Sequence, residues 1–289
     1  LPVSPRDEQW GIVCTTAGHQ HVPPGTPYPV SEHPEHYLFY KGSGRTLDEY
    51  QLVYITAGRG RFESASCPSQ TVEAGTMLLL FPNEWHSYSP DPGTGWTEWW
   101  VGFRGANIDR LEQQGFLCLR RPLLRIGCSG GIERCYREII GTVEEERVGF
   151  QPLISSIVLH ILGSVLFKHS NLLYSDNPVV EKINRAKAIM RTDFGRNRSP
   201  EQIAREVGMG YTWFRRVFRE YVGMAPAQYQ HTMRLNKARE LLATTAHSIS
   251  EIAYALGFES VSAFSLFFRL RQRLSPSQYR ARFRGGKGQ

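Results

Sequence analysis

Cysteine is scarce in these 289 residues, with five in all: Cys14, Cys67, Cys118, Cys128 and Cys135. The count is odd and no two sit at CxxC spacing, which excludes a disulfide framework and a cysteine zinc cage and points to a reducing, cytoplasmic setting. Long apolar runs are missing too. No stretch reaches the 18 consecutive apolar residues of a membrane span, and the richest, Met77 to Phe81, has the length of a strand. Leu1 to Trp10 lacks the basic start and apolar middle of a secretory signal. There is no phosphate loop and no HExxH, so the common nucleotide-binding and zinc-protease signatures are absent. Acidic residues are short in one place only. Residues 1–177 carry 14 Lys+Arg against 19 Asp+Glu, whereas residues 178–289 carry 20 against 8. A balance of −5 beside one of +12 implies that the second half alone meets a polyanion.

What is present divides the same way. From Tyr37 to Phe103 the chain alternates short β-branched and aromatic runs with turns: Tyr50 to Ile55, then Gly58-Arg59-Gly60, Arg61 to Glu63, Thr71 to Phe81, and Trp96 to Phe103. Strands at intervals of about ten residues predict a sandwich or small barrel. From Gly131 the period becomes helical. Ile132, Cys135, Tyr136, Ile139, Ile140 and Val143 form one stripe, and Leu153, Ile154, Ile157, Val158, Ile161, Leu162, Val165 and Leu166 a second. This pair either covers the barrel or meets a second copy of the chain. The expected organisation is residues 1–169 as a ligand-binding and dimerisation domain, 170–178 as linker, and 179–289 as a helical domain.

The helical domain contains a repeat. Ile203-Ala204-Arg205-Glu206-Val207-Gly208-Met209 returns 49 residues later as Ile252-Ala253-Tyr254-Ala255-Leu256-Gly257-Phe258. At an offset of 50, Phe214, Phe218, Pro226 and Tyr229 match Phe264, Phe268, Pro276 and Tyr279. Each copy is a short helix ending at a glycine suited to a left-handed turn, followed by a second helix anchored by phenylalanines four apart, which is a helix-turn-helix. The outward positions of the first second-helix are Tyr211, Thr212, Arg215, Arg216 and Arg219. Three guanidinium groups on one face suit the guanine edges and phosphates of a major groove. The outward face of the second copy, Ser260, Val261, Ser262, Ser265, Leu266 and Arg269, is poor in bidentate donors. The first copy is therefore expected to supply most direct base readout, and the second thymine-methyl contacts and phosphate positioning. A long helix from Pro226 to Thr244 joins the copies and sets them to reach double-stranded DNA in successive grooves, ~34 Å apart.

Ala238-Arg239-Glu240-Leu241-Leu242, Ile249 to Tyr254, Gly257-Phe258-Glu259-Ser260 and Ser275-Pro276-Ser277-Gln278-Tyr279-Arg280 resemble the signature of the AraC/XylS regulators. The first half, through Gly75 to Tyr88 with its Pro-x-x-x-His-x-Tyr ending and Gly95 to Phe103, is similar to that family's cupin-type sensor. The resemblance implies two domains: an all-β cupin-like barrel with appended helices, then an all-α domain with two helix-turn-helix motifs. It implies a cytoplasmic, nucleoid-associated homodimer that activates transcription through RNA polymerase. Its effector would be sugar-like, and Arg45, Tyr88, Glu98 and Trp100 lie near the positions that hold sugar in arabinose-responsive members. His86 is available to hydrogen-bond hydroxyls, and Trp85, Trp96, Trp99 and Tyr54 add aromatic surface. Alternation puts Trp99 and Trp100 on opposite faces, and Trp100 is expected to line the pocket.

One departure from the family pattern stands out: Arg273-Leu274 replaces the glycine expected before Ser275-Pro276. Some cupins are metalloenzymes, so a metal-dependent enzyme fused to a DNA-binding domain is one alternative, and a ligand-independent DNA binder another. The metal set needs two further histidines and a carboxylate beside His86. Residues 58–63 hold no histidine, no strand is expected at His19 and His21, and His33 and His36 fall in a proline-bearing loop. No cofactor, metal or catalytic residue is expected.

Overall fold

The computed structural model describes residues 1–28, 44–172 and 178–284. His33 and His36 lie outside the described residues. The chain forms two compact units, Leu1–Ser175 and Asp176–Gln289, each considered by itself.

The first unit runs α1 (Pro5–Glu8), β1 (Val13–Val22), β2 (Tyr50–Ser64), β3 (Cys67–Glu73), β4 (Thr76–Leu80), β5 (His86–Pro90), β6 (Trp96–Arg104), α2 (Ala106–Gln113), β7 (Leu123–Arg125), α3 (Gly130–Glu145) and α4 (Phe150–Leu172). Among the described residues the strands form one antiparallel sheet, ordered β1-β6-β2-β4-β7, with β3 and β5 pairing the far half of β2. β2 serves both groups because its pairing with β6 slips between Ile55 and Ala57, and such bulges bend a strand.

Alternation then separates two cores. Tyr50, Leu52, Tyr54, Trp99, Val101 and Phe103 pack with α3 and α4 on the outer side. Val53, Ile55, Phe62, Leu78, Leu80, Tyr88 and Trp96 fill the inner side, with Tyr28 and Trp100 against them.

The strand β1 corrects the expectation of no strand at His19 and His21. It pairs with β6 from Val13↔Arg104 to Val22↔Trp96. Both histidines are exposed: His19 lies against Trp99 with ring centroids 3.9 Å apart and the rings tilted by 41°, and His21 meets the Thr97 hydroxyl at 2.8 Å. They face the side away from the inner core, so the HxH spacing brings no ligand toward His86.

Helix α4 is long and apolar enough, by length and a mean hydropathy of 1.8, to cross a membrane. Its polar residues show what it covers instead. The Gln151 amide pairs with both Cys14 N, at 3.0 Å, and Cys14 O, at 3.0 Å. Ser155 Oγ donates to Ile12 O at 3.1 Å. These buried side chains satisfy backbone groups on the free edge of β1, which an apolar face would leave unpaired. The helix continues to Leu172, three residues into the expected linker, and residues 173–177 lie outside the described residues.

The second unit comprises α5 (Pro178–Thr192), α6 (Pro200–Glu206), α7 (Tyr211–Val222), α8 (Pro226–Thr244), α9 (Ile249–Ala255), α10 (Val261–Gln272) and α11 (Pro276–Arg284). The sequence repeat is a structural repeat. Ser199 caps α6 and Ser248 caps α9, each in a reciprocal box with Gln202 or Glu251. Gly208 and Gly257 take φ of +67° and +74° at the turns. Each copy has its own core, around Phe214 and Phe218 or around Phe264 and Phe268.

The helix α8 feeds both cores, Tyr229 to the first and Ala238 and Leu242 to the second. The loop between α5 and α6 ties the copies together a second time. Phe194 packs in the second core, Arg234 donates to Asn197 Oδ1 at 3.0 Å, and Gln230 donates to Arg198 O at 2.7 Å.

Candidate functional site

Phenylalanines at i and i+4 decide which way α7 and α10 face. With Phe214 and Phe218 fully buried, the helical period turns Thr212, Arg215, Arg216, Arg219 and Glu220 outward, and these five line one shallow concavity. The helix starts at Gly210 without a side-chain cap hydrogen bond, and the N-terminus of a helix favours an anion such as a phosphate. Tyr211 is half-buried against the first core.

In the second copy Ser262 and Arg269 are exposed and Ser265 is half-buried. Ser260 is the cap of α10, its Oγ accepting from Ala263 N at 3.1 Å, and Val261 packs on the second core. Tyr211 and Val261 thus pack on their cores and Ser260 caps its helix, while Thr212, Arg215, Arg216, Arg219, Ser262 and Arg269 point outward.

The turn after α10 keeps its geometry without glycine. Arg273 takes φ +56°, matching Gly223 at +79° after α7. A left-handed conformation costs a side-chain-bearing residue about 1 kcal/mol, so Arg273→Gly is expected to stabilise the full chain by about that amount. Urea titration followed by circular dichroism measures it, and an unchanged or lowered midpoint contradicts the strain assignment.

In the first unit a polar group assembles on the inner face. Arg45 and His86 exchange backbone hydrogen bonds of 2.8 and 2.9 Å. Arg45 Nη2 donates to Tyr88 Oη at 2.7 Å, and its Nε lies 3.4 Å from His86 Nε2. His86 is 1% exposed, and burial lowers its pKa to about 4, which keeps the ring neutral. Glu98, on the strand that also carries Trp96 and Trp100, accepts from Tyr28 Oη at 3.4 Å. Burial raises its pKa from 4.5 to about 8, outweighing the opposing pull of Arg45 and Tyr28.

Gln20 sits directly across from Glu98 in the β1–β6 register, so both side chains share the inner face. The Gln20 carbonyl oxygen and the Trp96 indole N–H are buried without a hydrogen-bond partner among the described residues. Gly18, opposite Trp100, leaves room for that indole, since a Cβ there would strike its ring. Among the described residues no three His, Cys, Asp or Glu side chains cluster as a metal would require.

Two family descriptions match this chain: an AraC-like ligand binding domain over residues 36–162 and a helix-turn-helix domain over residues 203–282. The chain belongs to the AraC family of transcription regulators. Among its relatives, the HTH-type transcriptional activator RhaS of Salmonella newport is 29% identical over 245 residues, covering 81% of this chain and 85% of that protein. The raffinose operon transcriptional regulatory protein RafR of Pediococcus pentosaceus is 24% identical over 250 residues, covering 83% and 87%. The Msm operon regulatory protein of Streptococcus mutans is 24% identical over 236 residues, covering 81% and 84%. This AraC-family regulator pairs a ligand-binding N-terminal domain with a DNA-binding C-terminal domain.

Within this regulator the structure brings together Arg45, His86, Tyr88 and Glu98 and puts Trp100 on the same inner side. It takes Tyr54 and Trp99 out of that group. Tyr54 Oη donates to Gly127 O at 2.8 Å and accepts from Ser129 N at 2.8 Å, and Trp99 packs toward α3 beside Tyr136. Period-two alternation says that neighbours face opposite ways, without saying which face the helices cover. Gln20 and Tyr28 escaped the sequence reading. The signal for Gln20 was its place in a strand, hidden by the histidines on either side. Trp213, 41% exposed on α7, was likewise not singled out.

Proposed function

We propose that this regulator is gated by a sugar-like small molecule held on the inner face of its β-unit. The supporting observation is the convergence there of Arg45, His86, Tyr88, Glu98 and Gln20 beside the Trp96 and Trp100 rings. Planar aromatic faces with acceptors and donors at the edges match a polyol, whose apolar ring faces stack while its hydroxyls bond in the plane. That two relatives are named as regulators of the raffinose and Msm operons supports the same class. On this reading the β-unit is a sensor and not a catalyst.

The chain works as a homodimer, and the exposed Leu159 and Phe167 on the free side of α4, beside His160, Gly163 and Ser164, are the surface offered to a second copy. Ligand binding shifts how the copies pair and so which half-site spacing they span, favouring activation through RNA polymerase. The regulator acts in the cytoplasm, on the nucleoid.

Selection of duplexes from random DNA by the full chain, with and without a panel of monosaccharides and short oligosaccharides, tests this. A sugar that changes the recovered spacing and raises thermal stability supports the reading. Indifference to every sugar, with DNA selection intact, overturns it in favour of a ligand-independent binder.

Glu98 adds a pH signature. Its folded pKa of about 8 exceeds the ordinary 4.5, so the folded state holds this proton more tightly than the unfolded chain. Its contribution to stability is complete below 4.5 and is lost as pH rises through 8. The thermal midpoint of the full chain is therefore expected to fall across that window, and Glu98→Gln to flatten the fall. A slope unchanged by the substitution would show that Glu98 does not titrate there.

A further inference from the structure

The duplication in the second unit is a natural substitution experiment, because equivalent positions of α7 and α10 lie at a fixed offset in similar backbone surroundings. Arg219 and Arg269 are equivalent, exposed and chemically identical. Both suit the same task, a phosphate. On either side of this arginine the copies diverge: Arg216 of α7 corresponds to Leu266 of α10, and Glu220 corresponds to Leu270. Leu266 is 51% exposed and Leu270 71%. They stand four residues apart, on the outward face that also carries Ser262 and Arg269. Phe264 and Phe268 already supply the core anchors of this helix, so the two leucines are surplus to packing. The neighbouring Phe267 is half-buried under the Arg271 guanidinium, 4.1 Å from its ring centroid, and is covered in a way that Leu266 is not.

A leucine at a position that in the sister helix offers a guanidinium to a groove has one feature of B-DNA to recognise there. In the major groove the only apolar group on any base edge is the C5-methyl of thymine. We propose that Leu266, with Leu270 extending the same strip, is a thymine-methyl reader, so that each chain recognises an asymmetric site. In that site a guanine-bearing half met by Arg216 is followed, one helical turn on, by a thymine-bearing half met by Leu266. The inference rests on the assignment of α7 and α10 as the reading helices. It adds a specificity residue, the base feature that residue takes, and a polarity to the operator.

The test uses the full chain and a duplex that it recovers from a random pool. Each thymine is replaced in turn by deoxyuridine, which deletes the methyl group and leaves all hydrogen-bonding groups. At one or two thymines of the second half-site the affinity is expected to fall about four-fold per methyl. Leu266→Ala should bind thymine and uracil duplexes equally, while Arg216→Ala should keep the thymine–uracil difference and lose guanine preference in the other half. Leu266→Arg, which rebuilds the chemistry of the first helix, should move the selected base from thymine to guanine. Circular dichroism confirms the fold of each variant.

Uracil substitution without effect at every position overturns the proposal. So does a thymine–uracil difference that survives in Leu266→Ala. If Leu266→Ala changes neither DNA affinity nor uracil response, the strip serves an apolar protein surface and the proposal fails while DNA reading stands. If no duplex is enriched at all, the assignment of the reading helices itself fails.

Discussion

Replacing Arg216 with alanine is expected to weaken binding to the preferred duplex by roughly ten- to a hundredfold, the worth of one bidentate guanine contact, and to erase discrimination at a single position. Arg216 is exposed on α7 and shares its concavity with Thr212, Arg215, Arg219 and Glu220, so alanine removes a recognition group without opening a core. Arg219→Ala, by contrast, is expected to weaken all duplexes alike and to lower the salt slope of log affinity by about one unit, as loss of one phosphate contact does. Fluorescence anisotropy over a panel of single-base variants, repeated at several salt concentrations, separates the two. If Arg219 carries the base preference and Arg216 the salt slope, the helix enters its groove rotated from the orientation assigned here. If Arg215→Ala and Arg216→Ala together leave site preference intact while Ser262→Ala abolishes it, the division of labour between the two copies is reversed.

A large stability effect is expected at Gly257. Its φ is +74°, and a Cβ there would fall on the carbonyl oxygen of Phe194, with Asn197 also within 3.2 Å. Backbone cannot step aside as a flexible side chain does, so Gly257→Ala combines a left-handed penalty with a steric clash, and a loss of about 3 kcal/mol or more is expected. Gly208 is the internal control. It takes the same turn at φ +67°, yet the nearest atom to its missing Cβ is Lys182 Nζ at 3.6 Å. Gly208→Ala should therefore show the conformational penalty alone, about 1 kcal/mol. Urea titration of the two full-length variants gives the comparison. Equal losses would mean that the contact with Phe194 does not restrain the turn.

The difference between these glycines shows where the sequence was readable. Both announce a turn, because Ile-Ala before and Phe after set the helical phase, and the capping serines at 199 and 248 mark the starts. That Gly257 alone abuts the loop at 193–199 is invisible in the string, since the contact joins residues about sixty apart. The first unit was less legible for the same reason. Its hydrophobic runs identify β2, β4 and β6, but β1 interleaves His19, Gln20 and His21 on an edge strand with one open face, and polarity there imitates a loop. Trp99 and Trp100 separate by alternation alone. Assigning Trp100 to the polar inner group required knowing that α3 and α4 cover the other side. The turn at Arg273 gives the opposite lesson: a residue that disfavours the left-handed region adopts it because the surrounding repeat demands it.

The double tie between the two helix-turn-helix copies, through α8 and through the loop carrying Phe194 and Asn197, makes the C-terminal unit a ruler of fixed length. A duplex with one base pair inserted between its half-sites would have to be twisted or bent to fit, because the protein has no slack segment there to take up the change. Promoter variation that such a regulator tolerates should accordingly fall in base identity, position by position, and seldom in the interval between the two contacts made by one chain.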